Sequence, residues 1–238
     1  MNGMVRKFLL FPLSICLLLA VFPGTVSAGS GKDLTITVNG VAFDMIYVEG
    51  TGNIKSFYIG KYEVTQAQWT AIMGSNPSSF KGDSLPVETI SWNDAQKFIK
   101  KLNAVAGMQY RLPTEKEWEY AARGGSESRN YKYSGGNDVD SVAWYFSNSG
   151  NSTHPVGTKL PNELGIYDMS GNVWEWCQDL RDKNGSMRML RGGSCFNTSD
   201  LCRSAFRDFN EPDAISNNIG FRLALDKKLD NNYKPRIE

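Results

Sequence analysis

The stretch "GIYDMSGNVWEWCQD", residues 165–179, combines two carboxylates with a Gly-containing turn. Asp168 and Glu175 are hard oxygen donors, and the turn frees backbone carbonyl oxygens at Gly171 and Val173. Calcium prefers such a mixture of carboxylate and carbonyl oxygens. In the alternative interpretation Asp168 caps the turn and Glu175 pairs with an arginine. The stretch therefore predicts either a structural Ca²⁺ site or an ion-paired turn.

Helix signals nearly vanish in a long region around this stretch, from about residue 124 to 218. Gly, Asn, Ser and Asp are frequent there, and aromatic groups such as "WYF" and "WEWC" interrupt them. So long a region without regular structure is unusual in a compact domain unless it is functional or is stabilised by a ligand. We therefore expect an irregular, loop-rich region, and a bound calcium ion would explain how it stays ordered.

Short strands are predicted towards both ends of the chain. "LTITV", residues 34–38, alternates apolar and polar positions, and Asn39-Gly40 is a type I′ turn signal before the answering run "VAFDMIYV". "FYIGKYEV" is another extended run, and "NIGFRLAL" closes the chain with a short strand. These patterns predict an opening β-hairpin and at least two further strands.

Three helices are indicated by their caps. Each begins at a Ser or Thr, and two of them carry a Gln or Glu three residues later, as a capping box requires. Trp69 and Trp118 lie on the apolar stripes of two of these helices, so we expect both to pack in the core. The three cap residues are Thr65, Ser91 and Thr114.

Residues 1–28 have the pattern of a secretory signal. Arg6 and Lys7 precede an apolar run that is shorter than the roughly 20 residues of a membrane-spanning helix. Val26-Ser27-Ala28 then supplies the small residues that a signal peptidase accepts. We predict a secreted or periplasmic protein with no membrane span after cleavage; a retained membrane anchor is the alternative.

The charge balance argues against nucleic acid and anionic lipid as partners. Two of the 26 basic residues and none of the 25 acidic residues lie in the predicted signal, so the remainder carries a formal charge of −1. Such a chain has no electrostatic basis for binding nucleic acid or anionic lipid. His154 is the only histidine, which excludes metal centres that need two. Nucleotide-binding glycine motifs and a G-x-S-x-G nucleophile elbow are missing as well.

The mature chain keeps three cysteines, Cys177, Cys195 and Cys202. An odd count in an exported protein implies one disulfide plus a free thiol, or three free thiols. A disulfide would join Cys202 to Cys177 or Cys195. Spacing alone does not fix this connectivity.

Seven blocks occur in an order that resembles the sulfatase-modifying-factor family, whose best-known member is the formylglycine-generating enzyme. They are "YEVTQAQW", "PVETISWNDAQKF", "YRLPTEKEWEYAARGG", "GIYDMSGNVWEWCQD", "RMLRGGSCF", "CRSAFR" and "NIGFRLA", and they run from roughly residue 43 to 225. The resemblance implies an α+β, loop-rich fold of the C-type-lectin-like class with low regular secondary structure. It places one such domain at residues 29–225, followed by a polar tail at residues 226–238. It also implies a structural Ca²⁺ at Asp168, Gly171, Val173 and Glu175.

The resemblance extends to a copper site but breaks at one of its ligands. The family enzyme uses oxygen to convert a cysteine in a Cys-x-Pro-x-Arg motif of a sulfatase to formylglycine. It binds copper(I) through cysteines three and eight residues after the serine of an RGGS turn, and soft thiolates suit this soft cation. Here Ser194 is that serine and Cys202 matches the second ligand, but Asn197 stands at the first. Cys195 lies two residues early, which is roughly 7 Å of extended chain.

Two functional hypotheses follow. In the first, the protein is an exported, non-catalytic or divergent domain that binds a protein, peptide or glycan, with calcium holding its loops. In the second, it is a copper-dependent oxidase of an exported sulfatase, with copper(I) on Cys202 and Cys195 and with Ser194 positioning the substrate. Four arginines around the cysteines either line a groove for a peptide or acidic glycan, or pair with acids such as Asp200, Asp208 and Asp213. They are Arg191, Arg203, Arg207 and Arg222.

Overall fold

The computed structural model describes residues 32–227 and, in addition, the backbone of residues 25–28. Most of the predicted signal and residues 228–238 of the predicted tail therefore lie outside the described residues. In the described part the strands are β1 (Thr25–Ala28), β2 (Leu34–Val38), β3 (Val41–Val48), β4 (Phe57–Gly60), β5 (Tyr110–Arg111), β6 (Trp174–Leu180), β7 (Arg188–Arg191), β8 (Arg207–Asn210), β9 (Ile219–Gly220) and β10 (Ala224–Asp226). The α-helices there are α1 (Gln66–Met73), α2 (Trp92–Ala106), α3 (Glu115–Ala122) and α4 (Val139–Val142).

The first sheet contains the predicted hairpin. Its strand order is β1-β2-β3-β4-β10-β5, and all of its pairs are antiparallel. Asn39 and Gly40 connect β2 to β3 with φ angles of 50° and 78°, as a type I′ turn requires. The last strand of the described chain lies between β4 and β5, so the two ends of the domain share one sheet. The polar tail predicted from Asp226 thus begins inside a strand, because Asp226 pairs with Phe57.

The three predicted helices are confirmed with their caps. Thr65, Ser91 and Thr114 each accept a hydrogen bond from the third helical residue, whose side chain in turn bonds the cap backbone. For α2 this third residue is Asp94, which takes the place of the usual Glu or Gln. Glycines in the left-handed conformation end α1 at Gly74 and α2 at Gly107.

The second sheet corrects the expectation of an irregular region. Its order is β8-β7-β6-β9, with β6 and β9 parallel, and all four strands lie in or next to residues 124–218. The short helix α4 also lies there. The strand β6 begins with four consecutive buried residues, so it lacks the alternation that marks a half-exposed strand. Because this strand has no period-2 pattern, "WEWC" looks in the sequence like an isolated aromatic group within a loop-rich region and not like a strand.

One hydrophobic core joins both sheets. Trp69 of α1 stacks on Phe98 of α2 at a ring separation of 5.3 Å, and the same cluster includes Ile36 of β2 and Trp176 of β6. Trp118 of α3 is fully buried in a second cluster between the sheets. Both tryptophans are therefore core residues, as predicted. No helix within residues 32–227 combines the length and apolar character needed to cross a membrane.

Candidate functional site

The turn that follows β7 brings Ser194 against the segment containing Cys202. Gly192 and Gly193 have φ angles of 97° and 76°, which glycine adopts readily. A Cβ atom at Gly193 would stand 2.8 Å from both the Cys202 sulfur and the Leu201 carbonyl oxygen. The Gly-Gly pair therefore permits a close approach that any larger residue would prevent.

Ser194 lies at the centre of a buried polar chain. Its hydroxyl donates to Oδ1 of Asn197 at 2.6 Å and accepts from Nδ2 of Asn218 at 3.0 Å. The Ser216 hydroxyl continues the chain by donating to Oδ1 of Asn218 at 2.6 Å. Ser194 is completely buried. Its hydroxyl is thus engaged by two amides and has no basic partner that would activate it as a nucleophile.

Asn197 fixes the loop as well as the serine. Its backbone N–H donates to the Ser194 carbonyl oxygen at 3.0 Å, and its own carbonyl oxygen accepts from the Phe146 N–H at 2.9 Å. The residue at the position of the first copper ligand is therefore an amide held by three hydrogen bonds. An amide oxygen is a hard donor and does not replace a thiolate for copper(I).

The three cysteines are free thiols, and the disulfide hypothesis is wrong. Burial raises the pKa of Cys195 to about 12, and the nearby Glu63 carboxylate adds to the effect. Burial likewise raises the pKa of Cys202 to about 12, against the opposing backbone N–H of Ser194. Burial also raises the pKa of Cys177 well above its ordinary value. All three are therefore protonated, weakly nucleophilic thiols at neutral pH.

Cys195 and Cys202 have different surroundings. Glu63 and Glu88 lie close enough to Cys195 to raise the pKa of its thiol. Cys202 instead packs in an apolar cluster with Val142 and Tyr145, and its sulfur lies 3.7 Å from the Thr198 carbonyl oxygen. Both cysteines lie beside Ser194. Cys195 has carboxylates among its neighbours, whereas Cys202 packs against apolar side chains.

Apolar residues adjoin the polar chain, either in sequence or through a backbone hydrogen bond. Phe80 and Phe196 are half-buried, with ring centroids 6.3 Å apart. Phe146, whose backbone bonds Asn197, is 56% exposed, and Ile215, next to Ser216, is 58% exposed. We call this surface the Ser194 face; it consists of Phe80, Phe146, Phe196 and Ile215 around Asn197.

A buried ion pair holds one end of the predicted calcium stretch. Arg222 donates to both carboxylate oxygens of Glu175, each at 2.6 Å, and Trp118 donates its indole N–H to the same carboxylate at 2.7 Å. Both partners are completely buried. Arg222 also donates to the carbonyl oxygens of Gly60 and Tyr167, each at 3.0 Å. The pairing of Glu175 with an arginine, one of the two sequence interpretations, is therefore present.

Two further buried carboxylates lie beside the Arg222–Glu175 pair. Asp168 and Glu63 are both buried near Glu175, so Arg222 faces three acids. Burial raises the pKa of Asp168 to about 6, although the Gly157 N–H donates to its Oδ2 at 2.7 Å. Burial also raises the pKa of Glu63 well above its ordinary value, and the neighbouring Asp168 and Glu175 charges add to this. We call these three acids and Arg222 the acidic cluster.

The predicted carbonyl donors lie on the backbone beside this cluster. The amide of Val173 donates to Oε1 of Glu63 at 3.1 Å. Gly171 adopts a φ of 81°, and a Cβ there would stand 2.3 Å from the Trp144 carbonyl oxygen. Within residues 32–227 no three or more His, Cys, Asp or Glu side chains are arranged as a ready metal-ligand group. A calcium ion here would therefore depend on backbone carbonyl oxygens as well as on carboxylates.

Glu63 is the member of the acidic cluster that sequence reasoning missed. It follows β4 and precedes the cap of α1, and it bonds Asn172 at 2.6 Å across 109 positions of sequence. A carboxylate between the apolar residues of "YIGKYEV" is the available signal. It is weak, because nothing nearby in the sequence indicates that the side chain is buried.

Among the described residues, three of the four arginines pair with acids, but with none of Asp200, Asp208 and Asp213; the fourth, Arg203, bonds only the backbone carbonyl oxygen of Asp200. Arg191 contacts Glu115 and Glu119 of α3 at 3.0 and 2.8 Å, and Arg207 contacts Glu115 at 2.7 Å. Arg203 donates to a backbone carbonyl at 2.9 Å. Asp208 and Asp213 form no ion pair within the described residues. His154, the single histidine, stacks on Trp144 at 3.7 Å.

Comparison with known proteins identifies the family. The "Sulfatase-modifying factor enzyme 1-like domain" matches residues 18–227. "Chaperone protein LppX" of Paenibacillus barcinonensis is 32% identical, over 94% of this chain and all of that protein. The "Formylglycine-generating enzyme" of Streptomyces coelicolor is 35% identical, over 70% of this chain and 60% of that protein. The "Inactive C-alpha-formylglycine-generating enzyme 2" of Bos taurus is 34% identical, over 68% of this chain and 57% of that protein.

A solved structure supports the same conclusion. "Treponema denticola variable protein 1" superposes with a TM-score of 0.76 at 31% identity, covering 83% of this chain and all of that one. The expected mixed α+β fold of the formylglycine-generating-enzyme type is thereby confirmed. The chain spans only about three fifths of the two matched enzymes of that name. Since the family match covers most of its length, the chain belongs to the sulfatase-modifying factor enzyme 1-like domain family.

Proposed function

We propose that this protein is an exported, non-catalytic member of its family that uses the Ser194 face to bind a protein, peptide or glycan partner. The observation that carries the proposal is the amide at position 197. It bonds the Ser194 hydroxyl at 2.6 Å where the family enzyme has its first copper thiolate. A polar chain of Ser, Asn and Asn recognises hydrogen-bonding groups without activating any of its members.

The donor set does not fit copper(I). One position of the expected pair is an amide oxygen, which is a hard ligand for a soft cation. The alternative donor, Cys195, is completely buried, and its backbone N–H bonds the Asn172 carbonyl oxygen at 2.8 Å while its own carbonyl oxygen accepts from the Ser149 hydroxyl at 2.7 Å. These two bonds fix the backbone at Cys195, and its thiol is buried and protonated, which disfavours it as a copper ligand. We therefore derive no reaction step through copper.

The exposed apolar side chains support a binding role. Phe146 and Ile215 are exposed apolar side chains, and each of them adjoins a member of the polar chain, as the half-buried Phe80–Phe196 pair does through Phe196. Exposed apolar residues beside hydrogen-bonding groups are typical of recognition sites. The matched proteins include one named as inactive and one named as a chaperone, which is compatible with a non-catalytic role, beside others named as formylglycine-generating enzymes.

Calcium would act as a structural ion in this proposal. Asp168 and the carbonyl oxygens of Gly171 and Val173 would bind it, with Glu175 near it, because the acidic cluster holds three carboxylates and one arginine. A divalent cation would offset this excess of buried negative charge. The ion would supply rigidity beneath the Ser194 face and would take no part in chemistry.

An assay of the family reaction tests the non-catalytic assignment. The reduced protein is offered Cu(I) and then a Cys-x-Pro-x-Arg peptide under oxygen, with formylglycine measured by mass spectrometry. We expect neither stoichiometric copper binding nor conversion. Asn197→Cys restores the family spacing and is expected to gain copper binding. The control Asn197→Ser, which places a polar side chain without a thiol at the same position, is expected not to gain it. Conversion by the unaltered protein that is lost in Cys202→Ala would overturn the proposal.

A binding experiment tests the Ser194 face itself. The same peptide and an array of defined glycans are titrated against the full chain and against Phe146→Ser/Ile215→Ser. Leu160→Ser/Leu180→Ser is the matched control, because these two residues are also exposed apolar side chains and belong to no part of that face. We expect the first double variant alone to lose a ligand that the protein binds. Equal losses in both variants, or no binding to any probe, would contradict the assignment.

A further inference from the structure

A cleft of about 980 Å³ opens on the molecule away from the Ser194 face and shares no residue with it. Three segments form its walls: the loop at residues 50–56, the first turn of α3, and the end of β10. Its volume is at the upper end of the roughly 300–1,000 Å³ typical of ligand pockets. The proposed function does not use this cleft.

The charge of the cleft is strongly positive for a chain that is nearly neutral. Four cations and two carboxylates line it, which gives a formal charge of +2, whereas the whole sequence carries +1. The cations are Lys55, Arg111, Lys116 and Lys227, and the carboxylates are Glu117 and Asp226.

Arg111 satisfies both carboxylates and leaves Lys55 and Lys116 without a partner in the described part of the chain. Its guanidinium donates to the two oxygens of Glu117 at 2.7 Å each and to Asp226 at 2.9 and 2.6 Å. Lys55 and Lys116 are exposed, and neither ammonium has a hydrogen bond or ion pair with any described residue. The uncompensated charge of the cleft is therefore carried by point-like ammonium groups and not by the guanidinium.

The loop at residues 50–56 is shaped to present backbone donors. Gly50 is required there, because a Cβ would stand 2.2 Å from the Ile54 carbonyl oxygen. The loop is closed by bonds from the Ile54 N–H to the Thr51 carbonyl oxygen and from the Gly50 N–H to the Ser56 hydroxyl, each at 3.0 Å. The amides of Thr51, Gly52 and Asn53 have no acceptor among the described residues. Free amides in a tight glycine-containing loop favour an anion.

The chemistry of the lining selects the kind of anion. Free ammonium groups suit tetrahedral phosphate, whereas the planar fork that would match a carboxylate is already occupied in Arg111. Phe57, the aromatic residue of the lining, is buried, so no aromatic face is exposed for stacking a base. The volume and the three separate cationic walls exceed the needs of a single phosphate. We infer that this cleft binds a ligand carrying two or more phosphate groups and no aromatic base.

Titration calorimetry with inorganic tripolyphosphate tests the inference on the full chain. The buffer is calcium-free, so that the affinity of the probe for Ca²⁺ contributes nothing, and contains about 100 mM NaCl to screen weak long-range attraction. We expect saturable 1:1 binding that is tighter than that of inorganic phosphate, and ATP should bind no more tightly than tripolyphosphate. Absence of saturable heat, or tighter binding of ATP, would overturn the inference.

Two double variants with the same change in net charge localise the site. Lys55→Gln/Lys116→Gln removes the two free ammonium groups and is expected to weaken tripolyphosphate binding by about tenfold or more. Lys100→Gln/Lys101→Gln alters exposed lysines of α2 and should leave the affinity within about twofold. Equal weakening in both would show non-specific attraction and would refute the site. Circular dichroism of each variant checks that the fold is unchanged.

Discussion

Asn197 illustrates how one side chain changes the chemistry of a turn. The Gly-Gly-Ser turn, the buried serine and Cys202 are all in place, yet the amide oxygen of Asn197 accepts a 2.6 Å hydrogen bond from the Ser194 hydroxyl. An amide has neither the charge nor the softness of a thiolate. The same scaffold thereby presents hydrogen-bonding groups where the family enzyme presents a metal.

Thiol reactivity gives the first prediction. Because burial raises the pKa values of Cys195 and Cys202 to about 12, we expect neither to react appreciably with a disulfide reagent such as DTNB at pH 8 in the folded protein. All three mature cysteines should react at once after addition of guanidinium chloride. Stoichiometric release of the coloured thiolate within minutes from the folded protein would contradict the buried positions of these thiols.

Calcium dependence gives the second prediction. A ligand bound only to the folded state raises its stability, so chelation should lower the melting temperature of the protein. Asp168→Asn should melt lower in calcium and should respond little to chelator. Asp179→Asn, an acid of the same strand region outside the acidic cluster, serves as the control and should keep the response. An identical melting curve with and without chelator would exclude the structural ion.

The pH dependence of stability in the presence of a calcium chelator gives the third prediction. The folded state raises the pKa of Asp168 from 3.8 to about 6, so it holds a proton that the unfolded chain releases. This contribution to stability is complete below pH 3.8 and is lost as the pH rises through 6. Between pH 5 and 7 the free energy of unfolding should fall by about 1 kcal/mol relative to Asp168→Asn. Urea titrations at both pH values measure it; a difference that grows with pH would have the wrong sign.

At the scale of elements, two glycine turns with similar backbone angles allow a matched comparison, which is the fourth prediction. Gly40 and Gly193 have φ angles of 78° and 76°, but a Cβ at Gly40 meets nothing within 4 Å. Gly40→Ala should cost only the strain of the left-handed conformation, about 1 kcal/mol. Gly193→Ala adds collisions with Cys202 and the backbone of Leu201 and should cost about 1–3 kcal/mol more. Equal losses in chemical denaturation would show that the close approach is unimportant.

Elements whose signals are local could be predicted from the sequence. The caps at Thr65, Ser91 and Thr114 and the Asn39-Gly40 turn each depend on contacts within three or four residues, and all four are present. The strand β6 was hidden, because its four consecutive buried residues show no alternation. Burial on both faces is a property of the assembled molecule, which local periodicity does not contain.

At the scale of the whole molecule, Arg222 connects the two sheets, which gives the fifth prediction. It bonds Gly60 of β4 in the first sheet and Glu175 of β6 in the second. Arg222→Met leaves an unpaired buried carboxylate and should destabilise the protein by about 3–5 kcal/mol. Arg123→Met, which removes a half-exposed pair with Glu119, should cost less than about 1 kcal/mol. Urea unfolding measures both, and similar losses would refute a special role for Arg222.

The candidate site was predictable in part. As for the elements, local features could be predicted, whereas contacts between residues far apart in the chain could not. The residues of the turn and the position of Asn197 follow from a local pattern. The partners do not: Glu63 meets Asn172 across 109 positions, and Arg222 meets Gly60 across 162. Buried acids such as Glu63 therefore become visible only when the fold brings distant segments together.

The position of β10 has a consequence for when the newly synthesised chain can complete its fold. This strand fills the gap between β4 and β5, and Arg222, the cation that faces the three buried acids, lies just before it. While residues 222–226 are still held at the ribosome or in a translocation channel, the folding chain has neither β10 nor Arg222. Neither the first sheet nor the acidic cluster can close until residues 222–226 have emerged, so this domain completes its fold only after its last strand has been synthesised.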